Sequence, residues 1–469
     1  MIHFGTGGWR AIIGDEFTKA NLQILAKALA DKMKKEGVDN QGMIIGYDRR
    51  FLSKEAMRWL AEVFAYEGIK TSLVNKSCPT PVVMYLVQRD NRDYGLMVTA
   101  SHNPAIYNGV KVFVKDGKDA DVETTNDIEK YIEKVVEPVN FMPYEEGLEK
   151  QLIEEIYPIN DYIDFVIGDI DVDVIRKNAV RIVLDPMYGV AETAIKTIMT
   201  TCRCEVDTIH GGHDTLFGGH MPAPDELLMK ELAAYVVTHG YDIGIATDGD
   251  ADRIGVIDDT GRFLSANDIL MILYWYLVTY RNMSGPCVRN LCTTHNLDVL
   301  AKKLNQECYE VPVGFKWITA KMAETNAIIG GESSGGMAIQ GRIKGKDGVY
   351  AAALLVEMLA KTGKKMSQIY DELIELCGKR YIVEENYRFN PDLKDAFIKT
   401  IIEDKKLPDF PFEVDHVSYM DGCKVYFKND AWVTVRFSGT EPLLRVFAEA
   451  IELKDAKSLC KIYKDFLNL

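Results

Sequence analysis

Apolar positions recur in two different periods along the chain, and their alternation predicts an α/β protein. Between Asn21 and Lys35, three leucines and a methionine recur at helical spacing, with Thr18 as the predicted N-cap. Short β-type runs at Met43–Ile45, Arg181–Leu184 and Tyr241–Ala246 each end in a polar turn with an acidic residue. Because open α/β sheets bind ligands at the ends of strands, these turns are where we expect a site.

The last hundred residues have a different pattern. Two β-type runs, Ala431–Phe437 and Leu444–Ala450, flank the loop Ser438-Gly439-Thr440-Glu441-Pro442, which predicts a hairpin. A chain of 469 residues is too long for one core, and length predicts three or four domains. The best candidate linkers are an acidic stretch near 138–150 and a Gly/Lys-rich stretch near 361–367.

Composition, with 47% hydrophobic and 27% charged residues, is typical of a soluble globular protein. The net charge of −15 argues against binding to nucleic acid or an anionic membrane, although clustered cations can still bind an anionic small substrate. No secretory signal is visible, which leads us to expect a protein that is not secreted. The longest apolar run, Ile269–Val278, is too short for a membrane span and predicts a buried helix. Nine cysteines without a paired framework favour a reducing cytoplasm. Nothing in the sequence indicates the oligomeric state.

An acidic loop, Thr247-Asp248-Gly249-Asp250-Ala251-Asp252-Arg253, is the strongest chemical signal. Carboxylates at i, i+2 and i+4 leave an extended backbone on one face, where their repulsion calls for a hard divalent cation. Arg253 stands where an EF-hand needs glycine, so a calcium loop is excluded. Buried-type strands flank the loop and favour a metal site over a solvated acidic turn.

Two further loops have weaker signals. Gly330–Gly336 contains Glu332 and Ser334, an acceptor and a hydroxyl suited to sugar hydroxyls. Arg436–Arg445 combines arginine, hydroxyls and exposed backbone donors, a set that suits phosphate, although a plain hairpin turn is the alternative. Neither a P-loop nor a strand–helix GxGxxG occurs.

Two other clusters are interpreted as structural. His210, His213 and His220 have no geometry that aligns them, so we expect loop packing and not zinc binding. Tyr274-Trp275-Tyr276 lies in an apolar helix without a basic groove, which predicts core packing and not base stacking.

Thr99-Ala100-Ser101-His102-Asn103-Pro104 completes a set that resembles the α-D-phosphohexomutase family, which includes phosphoglucomutases and phosphomannomutases. The resemblance covers essentially the whole chain, because Phe4–Arg10, the acidic loop, the Glu332 loop and the Arg436 loop follow in the family's order. It implies three similar α/β domains with mixed sheets and a C-terminal α+β domain around a central cleft. The implied domains are residues 1–148, 149–258, 259–366 and 367–469.

The resemblance also implies a phosphoryl exchange. Ser101 would carry the transferable phosphoryl group, with Mg²⁺ held by Ser101, Asp248, Asp250 and Asp252. The group would pass to a hexose phosphate, giving a bound hexose 1,6-bisphosphate such as glucose 1,6-bisphosphate, which reorients and returns its other phosphate. Arg10 and His102 would contact the phosphoserine. The implied substrate-binding residues are Arg253, Gly314, Glu332, Ser334, Arg436, Ser438, Gly439, Thr440 and Arg445.

The general base and the sugar are less defined. Lys111 follows the phosphoserine loop, and Lys316 lies in Gly314-Phe315-Lys316-Trp317, so either is a candidate base, while Lys316 is equally suited to phosphate binding. Gly336 stands where bacterial phosphomannomutases commonly have histidine. This departure favours a phosphoglucomutase, with phosphomannomutase or dual specificity as alternatives and a glucosamine-phosphate mutase less favoured. A metal-dependent sugar phosphatase and a noncatalytic sugar-phosphate sensor are the rival functions.

Overall fold

The computed structural model describes residues 2–5, 8–437 and 442–469. The chain forms two compact units, one of Met1–Asn282 with Ser334–Ile369 and the other of Met283–Ser333 with Tyr370–Leu469. Among the described residues, no helix combines the length and the apolar character that crossing a bilayer requires.

The first unit begins with a mixed sheet of eight strands. Its elements are β1 (Phe4–Gly5), β2 (Gly8–Ile12), α1 (Lys19–Glu36), β3 (Met43–Tyr47), α2 (Ser53–Tyr66), β4 (Thr71–Val74), α3 (Thr80–Arg89), β5 (Tyr94–Val98), β6 (Tyr107–Val114), β7 (Lys118–Asp119), α4 (Val122–Ile132), α5 (Tyr144–Glu149) and β8 (Ile153–Ile156). The strand order is β1-β2-β6-β5-β3-β4-β8, with β7 beside β6. The strands β3, β4 and β5 are buried along their whole length, as parallel strands covered on both faces are.

A second mixed sheet follows. Its elements are α6 (Ile159–Ile167), α7 (Val172–Asn178), β9 (Arg181–Asp185), α8 (Ala191–Thr201), β10 (Glu205–Thr208), α9 (Lys230–His239), β11 (Ile243–Thr247), β12 (Ile254–Asp258), β13 (Phe263–Leu264) and α10 (Ala266–Thr279). The order is β10-β9-β11-β12-β13, parallel as far as β11 and antiparallel beyond it. The predicted apolar helix is α10, which begins at a capping box formed by Ser265 and Asp268.

The third and fourth groups of elements complete the chain. The third has β14 (Cys287–Asn290), α11 (Asn296–Lys303), β15 (Cys308–Val311), α12 (Phe315–Thr325), β16 (Ile329–Gly331), β17 (Met337–Ile339), α13 (Gly348–Thr362) and α14 (Met366–Cys377). In the second unit, β14 pairs in parallel with β15 and β16. The fourth has β18 (Tyr381–Arg388), α15 (Lys394–Ile398), a π-helical turn (Lys399–Glu403), β19 (Val414–Ser418), β20 (Cys423–Phe427), β21 (Trp432–Phe437), β22 (Leu443–Ala450) and α16 (Leu453–Phe466). Its sheet is antiparallel, in the order β18-β22-β21-β20-β19, and α16 packs on it.

The predicted α/β class is confirmed, and so are the first helix and the C-terminal hairpin. Thr18 accepts a hydrogen bond from the backbone N–H of Asn21 at the start of α1, and β21 pairs antiparallel with β22. The stretch predicted as a linker near 138–150 contains α5, which packs on α2. The four domain boundaries stay predictions; the first sheet itself continues to β8, past residue 148.

Gly109 is a position where the fold has no room for a side chain. A Cβ there would lie 2.1 Å from the carbonyl oxygen of Trp9 and 3.0 Å from that of Thr99. Gly109→Ala should therefore force β2 and β6 apart and lower stability by about 1–3 kcal/mol, measured as a lower Tm. Gly212→Ala is the matched control, because a Cβ there meets nothing within 4 Å. Equal Tm values for the two variants would contradict this prediction.

Candidate active site

Three aspartates meet in the turn between β11 and β12. Asp248, Asp250 and Asp252 are buried, and a ligand oxygen from each lies within 4.8 Å of the others. The sequence predicted this convergence from an extended backbone, but the residues form a turn in which Ala251 has φ +59°. The turn is stabilised by Asp248 Oδ1, which accepts the backbone N–H groups of Asp252 and Arg253, both at 3.1 Å. The convergence is therefore correct, and the predicted local geometry is wrong.

The Ser101 loop follows β5 and lies against this turn. Ser101 is buried in the left-handed region with φ +53°, and its N–H donates to Thr99 Oγ1 at 2.8 Å. Its carbonyl oxygen would lie 2.8 Å from a Cβ at position 249, so only glycine allows the two loops to approach this closely.

Arg50 anchors the backbone of the Ser101 loop. Its guanidinium donates to the carbonyl oxygens of Ser101 at 2.7 Å and Asn103 at 2.6 Å, and also to those of Pro104 and Tyr107. A backbone with a strained residue persists only when its surroundings fix it, and these four hydrogen bonds do so.

The Ser101 hydroxyl reaches the acidic cluster. Its Oγ donates to Asp248 Oδ2 at 2.7 Å, so the predicted meeting of the serine and the aspartates occurs within one compact unit. His102 Nδ1 lies 3.4 Å from the same hydroxyl, and Arg10 Nη1 donates to Asn103 Oδ1 at 2.8 Å. His102 therefore lies beside the Ser101 hydroxyl, and Arg10 contacts the same loop at Asn103.

Two lysines compensate the acidic cluster. Lys111 Nζ lies 2.6 Å from Asp250 Oδ2 and 2.6 Å from Asp252 Oδ2, and Lys346 Nζ lies 3.1 Å from Asp252 Oδ2. Thr80 Oγ1 also donates to Asp250 Oδ2, at 2.5 Å. Arg253 is more distant, with Nε 3.9 Å from Asp252 Oδ1 and 4.0 Å from Asp248 Oδ2, beyond hydrogen-bond distance of either.

These surroundings shift the pKa values of the three aspartates in different directions. Burial, together with Asp250 and Asp252, raises the pKa of Asp248 well above its usual range. Burial acts in the same direction on Asp250 and Asp252, but their neighbours together outweigh it and lower the pKa of both: Lys111 and Thr80 act on Asp250, and Lys111, Lys346 and Arg253 act on Asp252. In return, these carboxylates raise the pKa of Lys111 although burial opposes this. Burial, Arg253 and Arg10 lower the pKa of His102, so its imidazole is neutral.

The donor set fits a divalent cation. Among the described residues, no hydrogen-bond donor meets Asp250 Oδ1 or Asp252 Oδ1, although both atoms are buried. Buried carboxylate oxygens without a donor are costly, and a hard cation is the ligand that such oxygens prefer. Within the described part of the chain, this is also the one cluster of three or more potential ligand residues with such spacing.

The predicted sugar and phosphate residues lie mainly in the second unit. Glu332 Oε1 accepts the N–H of Gly314 at 3.0 Å and Asn290 Nδ2 at 3.2 Å. Lys316 Nζ lies 5.1 Å from the centre of the half-exposed Trp317 ring. Ser334 is exposed in a turn and is counted with the first unit, so the chain passes from one unit to the other within this loop.

Arg436 and Arg445 face each other across the C-terminal hairpin. They are register partners on β21 and β22, and side chains in such positions share one face of the sheet. Like charges placed opposite each other are unfavourable, which favours an anion as their ligand. Ser438, Gly439 and Thr440, predicted as phosphate contacts, lie outside the described residues.

The histidine cluster takes structural contacts. His210 Nδ1 lies 3.0 Å from Asp185 Oδ2, and His213 Nε2 lies 3.1 Å from the carbonyl oxygen of Arg49. Tyr274 and Tyr276 are buried in α10, as expected of core residues.

Sequence reasoning missed Arg50, Thr80 and Lys346. Arg50 lies in one of the polar turns at strand ends, which was the available signal. Thr80 and Lys346 come from segments without a recognisable pattern, and only the folded chain brings them to the aspartates.

Family models cover most of the chain. The phosphoglucomutase/phosphomannomutase alpha/beta/alpha domains I, II and III match residues 1–138, 160–261 and 265–377, and the C-terminal domain of the same family matches residues 398–463.

Known proteins resemble the chain over its full length. A phosphoglucomutase/phosphomannomutase of Thermococcus kodakarensis is 30% identical over 98% of this chain and 97% of its own. A phosphoglucosamine/phosphogalactosamine mutase of Sulfurisphaera tokodaii is also 30% identical, over 97% of each chain. A crystal structure from Thermus thermophilus has a TM-score of 0.86 at 27% identity and covers 100% of this chain and 99% of its own.

The fold and the matches thus define a class of protein: four-domain α/β enzymes with a buried serine beside an acidic cluster. The chain belongs to the phosphoglucomutase/phosphomannomutase family. It is a phosphohexomutase, an isomerase-type phosphotransferase, and the family is generally Mg²⁺-dependent.

Metal binding can be tested independently of turnover. We expect the full-length chain to bind Mn²⁺, followed by electron paramagnetic resonance, and Asp250→Asn to weaken binding more than tenfold. Even the mutation of a residue that only supports a metal ligand typically lowers metal affinity about 10- to 100-fold. The exposed Glu226 provides the control, Glu226→Gln, which should bind like the wild type. Equal affinity of Asp250→Asn and the wild type would exclude Asp250 as a ligand.

Proposed function

We propose that the enzyme is a phosphoglucomutase. It interconverts glucose 1-phosphate and glucose 6-phosphate through phosphorylated Ser101 and bound glucose 1,6-bisphosphate, which also serves as an activator. The observation that supports this proposal best is the 2.7 Å contact between Ser101 Oγ and Asp248 Oδ2 inside a buried carboxylate cluster. A hydroxyl without a catalytic role has no need of such surroundings.

The acidic cluster is suited to a phosphorylated serine only with added positive charge. Asp248, Asp250, Asp252 and a phosphoryl oxygen on Ser101 would hold Mg²⁺, which supplies charge that stabilises the phosphoryl group during transfer. Lys111 and Lys346 add fixed cations on the same side of the cluster. These groups reduce the repulsion between a phosphoserine dianion and the aspartates.

The residues around Ser101 suit a phosphoryl carrier. His102 is neutral, so it can donate one hydrogen bond to a phosphate without adding charge. Arg10 provides a cation beside the loop, where it donates to Asn103 Oδ1. The buried backbone held by Arg50 keeps the carrier oxygen in one place.

The reaction is a transfer between two oxygens. The bond from phosphorus to Ser101 Oγ breaks and a bond from phosphorus to the free sugar hydroxyl forms. The hydroxyl proton passes to a base, and the leaving Oγ takes up a proton and becomes the Ser101 hydroxyl. After the bisphosphate reorients, its other phosphate returns to Ser101. Water must be excluded, because it would otherwise hydrolyse the phosphoserine.

Lys111 and Lys316 both stay candidates for the base. The contacts of Lys111 with Asp250 and Asp252 favour its ammonium form, and an ammonium cannot accept a proton. Electrostatic support of the phosphoryl group is therefore the role that these contacts favour for Lys111. Lys316, on the first turn of α12, has no such pairing among its described contacts.

The non-reacting end of the substrate would bind elsewhere. We assign its phosphate to Arg436, Arg445 and the loop residues Ser438, Gly439 and Thr440. Glu332 and Ser334 would bind sugar hydroxyls that look alike in both orientations. Gly314 and Arg253 are the remaining proposed substrate contacts. The two facing arginines of the hairpin support an anion at this end.

The choice of sugar rests on two local features. Gly336 and the Gly314-Phe315-Lys316-Trp317 segment favour glucose phosphates, with mannose phosphates as the alternative. A glucosamine phosphate is a second candidate, because the relative from Sulfurisphaera tokodaii named for amino sugars is as similar as the one named for glucose and mannose. We place the enzyme in the cytoplasm, where its nine free thiols would stay reduced.

Ser101→Ala tests the carrier. We expect turnover of glucose 1-phosphate to disappear, because no oxygen remains to carry the phosphoryl group, while the Kd for glucose 6-phosphate stays within about tenfold. The control is Ser284→Ala, at an exposed serine of the second unit. The coupled assay must separate glucose 6-phosphate from free phosphate, since a phosphatase would yield the latter. Retained turnover in Ser101→Ala would remove Ser101 from its role.

Sugar preference is measured directly. We expect kcat/KM to be highest for glucose 1-phosphate when mannose 1-phosphate and glucosamine 1-phosphate are assayed side by side. A single changed substituent in a tolerant pocket is worth about 10- to 200-fold in kcat/KM. A higher value for either of the other sugars would replace the glucose assignment and leave the phosphoserine mechanism intact.

A further inference from the structure

One carboxylate oxygen joins the proposed phosphate arginine to a separate loop. Arg436 Nε donates to Asp421 Oδ2 at 2.8 Å, and the same oxygen accepts the backbone N–H of Val313 at 2.9 Å. Asp421 lies in the turn between β19 and β20, whereas Val313 lies between β15 and α12. All three residues belong to the second unit.

The next backbone N–H group in the loop of Val313 also donates to a carboxylate. Gly314 donates its N–H to Glu332 Oε1 at 3.0 Å, so two consecutive N–H groups go to two different carboxylates. Gly314 has φ +127°, a backbone conformation that favours glycine. Through this loop, Asp421 and Glu332 are linked although they lie far apart in the sequence.

Gly422 allows the turn that contains Asp421 to pack against Arg436. Its φ is +84°, and a Cβ there would lie 2.1 Å from the carbonyl oxygen of Val435 and 3.1 Å from Arg436 Cγ. The turn therefore touches the backbone of β21 and the stem of the arginine at once. The contact between Asp421 and Arg436 is built into the backbone and is not a chance meeting of long surface side chains.

Arg436 needs such an anchor because Arg445 faces it across the hairpin. Without a fixed partner, repulsion between the two guanidinium groups would drive Arg436 into other rotamers. Asp421 contacts Nε, and a guanidinium held at Nε can still present its Nη groups as a fork to a phosphate.

We propose that Asp421 is a positioning residue for hexose-phosphate binding. It fixes Arg436 and, through Val313, the Gly314 loop, so that phosphate and sugar hydroxyls meet one preassembled surface. The inference rests on the proposed function, because it takes Arg436 and Glu332 as substrate contacts. Preorganisation of this kind lowers the ordering cost of binding.

Charge alone predicts the opposite effect of removing Asp421. The carboxylate reduces the positive potential beside Arg436, so a variant without it should attract anions more strongly if charge were its only contribution. Weaker binding after its removal is therefore a signature of positioning.

The experiment measures glucose 6-phosphate binding to the full-length chain by calorimetry. We expect Asp421→Asn and Asp421→Ala to raise the Kd, with Asp421→Ala about tenfold weaker than the wild type, the size expected for loss of a hydrogen bond to a charged group. In turnover assays, KM should rise by more than kcat falls. Asp409→Asn, at an exposed aspartate of the same unit, is the control that should change neither. An unchanged or lower Kd in both Asp421 variants would overturn the proposal.

A double-mutant cycle separates positioning from a general loss of structure. Arg436→Ala should itself raise KM, and Asp421→Ala should raise KM by less in that background than in the wild type, because the part of its effect that passes through the arginine is already lost. Fully additive effects would overturn the proposal. If the wild type turns over glucose 1-phosphate and the Asp421 variants match it, only the role of Asp421 fails. If the wild type binds but does not turn over sugar phosphates, the proposed function fails and the Asp421 binding data still decide its role.

Discussion

Three carboxylates without access to water are the constraint around which the first unit is arranged. Two unit charges about 4 Å apart repel by about 4 kcal/mol at an effective dielectric constant of about 20. Asp248, Asp250 and Asp252 are all buried, and burial removes the water that would otherwise screen them. Lys111 from β6 and Lys346 from the segment before α13 compensate these negative charges. Strands and loops from distant parts of the chain must therefore meet at one turn. The close packing at Gly109 and Gly249 follows from this requirement.

The lysines satisfy the oxygens of Asp250 and Asp252 only in part, and the oxygens left over indicate what the site binds. Lys111 engages one oxygen of Asp250 and one of Asp252, while the second oxygen of each is buried without a described donor. A purely structural ion-pair network would gain by satisfying those atoms, because an unmet buried acceptor costs about 1–3 kcal/mol. Retaining two of them beside a buried serine indicates a site shaped for a ligand that arrives from outside the chain. Stability is sacrificed here for binding.

Sequence patterns predicted the architecture well because strands and helices are local. The α1 helix and the C-terminal hairpin follow from periodicity and turn chemistry within short windows. The detailed geometry was less accessible. An extended backbone was expected at Asp248–Asp252, but Ala251 adopts φ +59° because the hydrogen bonds to Asp248 close a turn. Lys346 and Thr80 could not be found, since their roles depend on tertiary contacts and neither lies in a patterned segment.

The best-defined residues of the site are those that do not distinguish one sugar from another. Ser101, the aspartates and the lysines act on a phosphoryl group, which is the same in every hexose phosphate. Glu332 is already oriented by Gly314 and Asn290, so it presents a fixed acceptor to a hydroxyl, and glucose, mannose and glucosamine share most of their hydroxyls. They differ at C2, where a single changed substituent in a tolerant pocket is worth about 10- to 200-fold in kcat/KM. Equal similarity to relatives named for different sugars is therefore the expected result when phosphoryl chemistry dominates the recognisable residues.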